Sequence, residues 1–252
     1  MHLYSHAVAA ELTDALISAA LPEIGQGTHP KSRLRPRALA RLISPCTRIL
    51  GTEVEPRTVA ELLLDRIPTV RAAILSDATA IYHADPAATS TAEVLACYPS
   101  LYAIAVYRLA HVIYTDVDRA LARMLSTHAQ RTTAIDIHPG AQIGDSLAID
   151  HGVGIVIGET AVIGSHVTLY HGVTLGTKAF TDPSGNLLRG VRRHPTVCDG
   201  TVIYTGATVL GGDTVVGKNC TVGAHALVTS SIPDGTTVHP PRNKRKENEN
   251  DP

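Results

Sequence analysis

Apolar residues recur at a spacing of mostly six positions through the second half of this chain, and this period constrains its fold more than any other feature. The repeated residues are often followed by glycine, and one long gap interrupts the series after Gly176. The repeated positions are Ile143, Ile149, Ile157, Ile163, Leu169, Leu175, Val197, Ile203, Leu210, Val216 and Val222. A hexapeptide period of this length indicates a parallel β-helix, in which three short strands make one coil.

The repeat also predicts where the side chains lie. Each apolar residue should point into the prism, and the small residue after it should let the chain turn the corner. Hexapeptide β-helices wind left-handed, an exception to the right-handed rule for crossovers between parallel strands. We therefore predict a left-handed parallel β-helix over residues 131–235.

Residues 1–130 follow a helical period instead. Thr58 with Glu61 and Ser90 with Glu93 fit the capping box, in which a hydroxyl and a carboxylate satisfy free amides at a helix start. Three prolines are placed as the first residue of a helix: Pro36, Pro68 and Pro99. The predicted fold class is α+β, with an N-terminal α-helical domain before the β-helix.

Two segments fall outside the repeats. Residues 177–194 form a long polar loop, and an insertion of that length in a compact solenoid is usually functional. Its basic side chains are Lys178, Arg189, Arg192 and Arg193. Residues 236–252 form a tail that offers no apolar side chain for docking from Pro240 onward, so we expect it to be disordered.

Composition argues against several classes of function. The 22 Lys and Arg residues are balanced by 23 Asp and Glu, so electrostatic capture of nucleic acid or of an anionic membrane is not expected. The four cysteines form no closely spaced pair, which argues against a disulfide framework or a thiolate zinc site. Neither a secretory signal nor a stretch of bilayer length is evident, so we predict a cytoplasmic protein.

Three polar clusters interrupt the repeats, and each contains a histidine: Asp136-Ile-His138, Asp150-His151 and Arg193-His194. The spacing after Ile149 lengthens to eight, so the chain should bulge outward at His151. Asp136 lies 15 residues before His151, somewhat less than one coil, and both should lie near one corner. A histidine with a carboxylate partner is the minimal general base. Spacing alone leaves a surface or packing role for His151 equally open.

Longer motifs around these clusters resemble a known family. They are Asp136-Ile-His-Pro-Gly-Ala-Gln-Ile-Gly144, Ile149-Asp-His-Gly-Val-Gly-Ile-Val-Ile-Gly-Glu-Thr-Ala161, Val173-Thr-Leu-Gly176 and Arg193-His-Pro195. Together with Asp85-Pro86-Ala87 they closely resemble the bacterial and plant serine acetyltransferases, in order from Asp85 to Val228. The resemblance implies the left-handed β-helix, a homotrimer or a dimer of trimers, and active sites between neighbouring subunits under the long loop.

The resemblance also implies the reaction, in which acetyl-CoA acetylates the hydroxyl of L-serine in the first step of cysteine biosynthesis. His151 would be the general base, with Asp136 as its partner. The serine oxygen would attack the thioester directly, without an acyl-enzyme and without a metal. Asp85 and Asp150 would hold the α-amino group.

The same family pattern implies further binding residues. Arg193 would bind the serine carboxylate, and His194 would bind and polarise the substrate. Five small residues would line the acetyl-CoA site: Gly176, Thr177, Thr205, Gly206 and Ala224. The segment Thr177-Lys-Ala-Phe180 departs from the glycine-rich family pattern and the loop is longer, which affects the expected CoA contacts.

Two expectations concern regulation and partners. L-cysteine should inhibit the enzyme by feedback, because it would fit the serine pocket. Cysteine synthase is bound in many family members through a C-terminal isoleucine, whereas this sequence ends in Pro252. We therefore expect weak or absent binding to cysteine synthase.

Three other functions compete with this interpretation. A hexapeptide acetyltransferase for another hydroxyl acceptor would use the same base, although a sugar would not require Arg193. A γ-class carbonic anhydrase would bind zinc through histidines five residues apart, as His166 and His171 are, with His128 as the third ligand. A non-catalytic repeat scaffold would not need the clustered polar residues.

Overall fold

The structure is a computed structural model, and it describes residues 6–21 and 55–239. The predicted helix start at Pro36, the thiol of Cys46 and the tail residues 240–252 lie outside the described residues. In the described ranges no helix is both long enough and apolar enough to cross a membrane.

Five helices make up the described N-terminal part. They are α1 (His6–Ala20), α2 (Pro56–Ala84), α3 (Thr91–Cys97), α4 (Pro99–Asp116) and α5 (Arg119–Thr133). The predicted cap at Ser90 is confirmed, because its side chain accepts a hydrogen bond from the Glu93 amide. Pro99 is in the first turn of α4, also as predicted.

Helix α2 begins earlier than the sequence predicts. Its N-cap is Glu55, whose carboxylate accepts a hydrogen bond from the Thr58 amide at 2.9 Å. Pro56 is at the helix start, where a missing N–H costs nothing, so Thr58 lies inside the first turn rather than at a cap. The predicted helix start at Pro68 is wrong, since Pro68 lies inside α2.

Fourteen short strands follow the helices. They are β1 (Asp136–Ile137), β2 (Gln142–Ile143), β3 (Ala148–Asp150), β4 (Val156–Ile157), β5 (Val162–Ile163), β6 (Thr168–Tyr170), β7 (Thr174–Gly176), β8 (Thr196–Val197), β9 (Val202–Ile203), β10 (Thr208–Leu210), β11 (Val215–Val216), β12 (Thr221–Val222), β13 (Leu227–Val228) and β14 (Thr237–Val238). All of the pairings between them are parallel.

The strands form three sheets, one for each side of a prism. Sheet A contains β1, β4, β7, β10 and β13; sheet B contains β2, β5, β8 and β11; sheet C contains β3, β6, β9, β12 and β14. The chain visits A, B and C in turn, so each coil has three corners. Residues such as Ile157, Leu175 and Val209 stack in register and are fully buried, which confirms the inward positions that the period predicts.

The ends of the β-helix differ slightly from the predicted bounds of 131 and 235. Helix α5 continues to Thr133, and Ala134 follows in the left-handed region with φ of 58° before β1 begins. At the other end, Thr237–Val238 pairs with Thr221–Val222. The predicted disordered tail is therefore wrong for residues 236–239, because backbone pairing on sheet C orders the strand there.

The helices pack on one side of the first coils. Tyr107 on α4 donates a hydrogen bond to the Ala141 carbonyl at 2.7 Å, and Ser76 on α2 meets Ser146 at 2.7 Å. A buried ion pair between Arg108 and Asp77 lies at the same boundary. These contacts fix α2 and α4 against the first coil of the β-helix.

Candidate active site

The predicted site residues lie at two different corners of the prism. Asp150 and His151 lie where sheet C passes into sheet A, between β3 and β4. Arg193 and His194 lie where sheet A passes into sheet B, directly before β8. We name the first of these the acidic corner, which also includes Asp85 and Tyr98. We name the second the basic corner, which also includes Tyr114, His138 and Glu159.

His151 lies in the predicted outward bulge of the acidic corner. Its φ is 56°, and Gly152 and Gly154 follow with φ of 89° and 79°, which only glycine adopts freely. A side chain on Gly152 would collide with Ile135. The His151 imidazole is 75% exposed and its Nε2 lies 3.9 Å from Asp150 Oδ1, with the His171 ring 5.8 Å away. The bulge thus presents the imidazole to a substrate.

Asp136 does not pair with His151 in this structure. Its Oδ2 accepts a hydrogen bond from Gln130 Nε2 at 3.2 Å, and burial raises the pKa of its carboxyl. In the part of the chain that the structure describes, no hydrogen bond or ion pair joins Asp136 to His151. Asp136 heads β1, whereas the left-handed bulge turns His151 toward Asp150, so the catalytic pairing remains a prediction.

Asp85 reaches the acidic corner from the end of α2. Tyr98 donates a hydrogen bond to Asp85 Oδ2 at 2.7 Å, and the Ala87 amide donates to Oδ1 at 2.8 Å. The bond from Tyr98, followed by that from Ala87, lowers the pKa of Asp85, and the charge of His151 acts in the same direction. Asp85, Asp150 and His151 therefore lie together at one corner of the chain.

The aromatic part of this corner was not predicted. Tyr170 follows Asp150 in register on the next coil, and its ring stacks on that of Tyr204 with centroids 4.8 Å apart. The acidic corner thus has a flat aromatic surface directly beside the carboxylate of Asp150.

At the basic corner, Arg193 is held by an acidic residue that the sequence did not single out. Arg193 Nη2 lies 2.6 Å from Glu159 Oε2, and Tyr114 donates to Glu159 Oε1 at 3.0 Å. Burial raises the pKa of Glu159, but the hydrogen bonds from Arg193 and Tyr114 outweigh it and leave that pKa lowered. The charged Glu159 fixes the guanidinium of Arg193 at this corner.

His194 is buried, with 7% exposure, and its tautomer follows from its partners. Its Nδ1 accepts from the Thr160 amide at 3.1 Å and lies 2.9 Å from the Thr160 hydroxyl. That hydroxyl oxygen accepts from the Arg193 and His194 amides, so it donates its own proton to Nδ1. Burial, and then the charge of Arg193, lowers the pKa of His194. The neutral ring therefore carries its proton on Nε2 as a hydrogen-bond donor.

His138 is a second neutral histidine at the basic corner. Burial, and then the charge of Arg123, lowers its pKa to about 4. Its Nδ1 accepts a hydrogen bond from the Gly140 amide at 2.9 Å, and the Tyr114 ring packs edge-on against it. His138 is thus a fixed neutral wall of the corner rather than a titrating group near neutral pH.

The predicted CoA residues are divided between the same two corners. Gly176 ends β7, and Thr177 follows it at the basic corner. Thr205, Gly206 and Ala224 lie at the acidic corner, on the coils after His171, where the Gly206 amide donates to the His171 carbonyl at 2.9 Å. One chain does not bring the five together.

The long loop after Gly176 contains a small hairpin. Thr181 and Leu187 form an antiparallel bridge, and Asp182 Oδ1 accepts from the Ser184 and Asn186 amides at 2.9 Å each. Lys178 Nζ lies 2.7 Å from Asp213 Oδ1, which ties the loop to a later coil. The part of the loop that follows the Thr177–Phe180 departure is therefore a preformed turn.

The histidines that a zinc enzyme would use are not arranged for it. His166 lies between β5 and β6, at the corner of sheets B and C, whereas His171 lies at the acidic corner. His128 belongs to α5. Among the described residues no three His, Cys, Asp or Glu side chains are grouped to hold a metal ion.

Comparisons with known proteins agree on one family, although no protein-family model matches the chain. The plasmid serine acetyltransferase of Synechococcus elongatus is 49% identical over 144 residues, which are 57% of this chain but only 45% of that protein. The serine acetyltransferase of Mycobacterium tuberculosis is 43% identical over 166 residues, 66% of this chain and 69% of that protein.

Solved structures match over nearly the whole chain. Serine acetyltransferase 1 of Entamoeba histolytica, in complex with L-cysteine, has a TM-score of 0.80 and 30% identity over 94% of this chain and 98% of that one. A serine acetyltransferase in complex with CoA has a TM-score of 0.62 and 26% identity over 91% and 96% of the two chains. The predicted fold, a helical region followed by a left-handed β-helix, is confirmed.

Proposed function

The chain belongs to the serine acetyltransferase family, and we propose that it transfers the acetyl group of acetyl-CoA to the hydroxyl of L-serine. The products are O-acetylserine and CoA, in the first step of cysteine biosynthesis. The observation that carries this proposal is the set of amino-acid-binding groups at the two corners. Asp85 and Asp150 suit an ammonium group, whereas Arg193 suits a carboxylate.

In the proposed mechanism His151 acts as the general base. The exposed imidazole takes the proton of the serine hydroxyl while the serine oxygen bonds to the thioester carbonyl carbon. The C–S bond of the tetrahedral intermediate then breaks, and the CoA sulfur receives the proton from His151. His194 Nε2–H is available to hold the substrate, and Asp136 would stabilise the imidazolium once substrate has closed the site.

We also propose that each complete site combines the two corners of neighbouring chains. The two corners of one chain are separated by sheet A, and their charges are complementary. A closed ring of three chains would bring every acidic corner against the next chain's basic corner. A homotrimer or a dimer of trimers follows, with the CoA residues of the two corners meeting at the same interface.

The proposed function also bears on the role of the helical domain, on the ligands and on the location of the protein. The helical domain, proposed as residues 1–130, would support the acceptor site, because Asp85 and Tyr98 belong to it. The relatives' complexes with L-cysteine and CoA favour both as ligands here, with L-cysteine as a feedback inhibitor. The cytoplasmic location remains a prediction. Weak binding to cysteine synthase also remains one, because residues 240–252 lie outside the described residues.

The direct test of the reaction is release of free thiol from acetyl-CoA. We expect release with L-serine to exceed that with homoserine, threonine or a panel of sugars. Homoserine carries its hydroxyl one carbon further away, threonine adds a methyl to the reacting carbon, and a sugar has neither the ammonium nor the carboxylate group that the two corners would bind. O-acetylserine should be identified by mass spectrometry. Faster turnover with a sugar, and little with serine, would instead support an acetyltransferase for another hydroxyl acceptor.

Mixed oligomers test the shared site. We expect His151→Ala and Arg193→Ala each to be nearly inactive alone, whereas co-refolded chains should regain about a quarter of unsubstituted activity, because one interface in four then pairs two intact corners. The readout is thiol release per chain.

The matched control mixes His151→Ala with Asp150→Ala, two substitutions at the same corner. That mixture should regain nothing, because no interface receives an intact acidic corner. Equal recovery in both mixtures, or none in either despite mixed oligomers, would contradict a site shared between chains.

A further inference from the structure

Tyr98 connects two helices and points its hydroxyl into the acidic corner. Its amide donates to the Val94 carbonyl of α3 at 3.2 Å, and its carbonyl accepts from the Tyr102 amide of α4 at 3.2 Å. The backbone of Tyr98 is thus held from both sides, as the C-cap of α3 and the N-cap of α4. The main chain of Tyr98 therefore cannot shift without disturbing one of the two helices.

Tyrosine is an unusual residue for this position. Helix N-caps favour Ser, Thr, Asp or Asn, whose short side chains satisfy a free amide, but Tyr98 makes no such capping bond. A residue that disfavours its local structure and makes no stabilising local contact is expected to serve a functional contact instead. The only hydrogen bond of the Tyr98 side chain in the described residues is the one to Asp85.

This contact fixes the direction of the Asp85 carboxylate. Tyr98 holds Oδ2 at 2.7 Å and the Ala87 amide holds Oδ1 at 2.8 Å, so each oxygen keeps a free lone pair for a ligand. The segment between Asp85 and Tyr98 is itself tied, because Ser90 caps α3 and Glu93 Oε2 accepts from the Thr89 amide. The carboxylate is therefore oriented before any substrate arrives.

The electrostatics agree with that geometry. The hydrogen bond to Asp85, then burial and the charge of Asp85, raise the pKa of Tyr98 to about 12, and the charges of Glu93 and Asp150 act in the same direction. The phenol therefore remains a donor at any pH where the enzyme would work. The same bond lowers the pKa of Asp85, which keeps its carboxylate charged.

We propose that Tyr98 is a positioning residue of the acceptor site, whose hydrogen bond holds the Asp85 carboxylate in the orientation that binds the ammonium group of the amino acid. The inference rests on the proposed function, because it takes Asp85 as the partner of that ammonium group. Substitution of a purely structural tyrosine would affect folding. It would not weaken the binding of L-serine while leaving the KM for acetyl-CoA unchanged.

Tyr98→Phe removes the hydroxyl and keeps the ring. We expect the dissociation constant of L-serine, measured by calorimetry on the full chain, to rise about tenfold through the loss of one hydrogen bond to a charged group. Because Tyr98 touches neither the thioester nor CoA, kcat at saturating serine and KM for acetyl-CoA should change less than about twofold. The matched control is Tyr102→Phe, one turn further along α4, which should bind serine normally.

A double-substitution cycle separates positioning from simple destabilisation. If Tyr98 acts through Asp85, then Tyr98→Phe should add little to the loss of serine affinity caused by Asp85→Asn. Additive losses, or a serine affinity for Tyr98→Phe equal to that of the unsubstituted enzyme, would overturn this inference alone. Absence of serine binding by the unsubstituted enzyme would overturn the proposed function, and this inference with it.

Discussion

His151→Ala is expected to lower kcat for O-acetylserine formation by about 10²- to 10⁴-fold, the usual contribution of a positioned general base. The serine hydroxyl is a poor nucleophile, and His151 is the only imidazole in the bulge of the acidic corner among the described residues. KM for acetyl-CoA should change little, because its predicted contacts lie on other coils. Thiol release at saturating substrates, with O-acetylserine quantified by mass spectrometry, measures the effect.

His166→Ala is the matched control for that substitution. His166 is also an exposed corner histidine in the left-handed region, with φ of 58°, so alanine meets the same backbone strain there. It lies at the corner of sheets B and C, away from the proposed site, and its substitution should leave kcat nearly unchanged. Full activity of His151→Ala, or an equal loss in both variants, would show that His151 is not the base.

The β-helix could be predicted because its signal is periodic and local. An inward apolar residue every sixth position forces the strand pattern, and the longer spacing after Ile149 predicts the bulge at His151 that the structure confirms. The predicted ends of the β-helix were less accurate, because the six-residue repeat is weaker at both ends. Helix α5 continues to Thr133 without a glycine or proline to mark its end, and β14 has no glycine after Val238 to mark it.

The division of the site between corners could not be predicted. Residues 177–194 interrupt the six-residue count, so the period no longer tells at which corner Arg193 lies. Tyr98 and Glu159 were missed for a different reason, because their roles depend on how the helices pack on the coils. Tyr114 and Glu159 are 45 residues apart and meet only in the folded chain. The unusual N-cap at Tyr98 was the one local signal available.

A buried ion pair holds the helices to the β-helix. Arg108 Nε and Nη2 donate to the two Asp77 oxygens at 3.0 and 2.9 Å, and their side chains are 9% and 0% exposed. Arg108 also donates to the carbonyls of Ile143 and Gly144, at 2.7 and 2.6 Å. Asp77 Oδ1 accepts from the Leu147 amide at 2.9 Å. One guanidinium thus links α4, α2 and the first coil.

Arg108→Met is expected to lower the free energy of unfolding by about 3–5 kcal/mol, because it leaves the Asp77 carboxylate buried without a countercharge. Two backbone carbonyls lose their donor as well. The measurement is urea unfolding followed by circular dichroism at a fixed chain concentration, since assembly would itself change the apparent stability.

Two comparisons decide whether burial is the cause. Arg66→Ala breaks an exposed pair with Asp116, at 2.8 Å with side chains 57% and 26% exposed, and should cost less than about 1 kcal/mol. The double variant Asp77→Leu with Arg108→Met removes the unpaired charge, so it should be more stable than Arg108→Met alone. If Arg108→Met costs no more than Arg66→Ala, the pair does not hold the helices to the coil. The helical support of Asp85 and Tyr98 would then have to come from the apolar packing of α2 and α4.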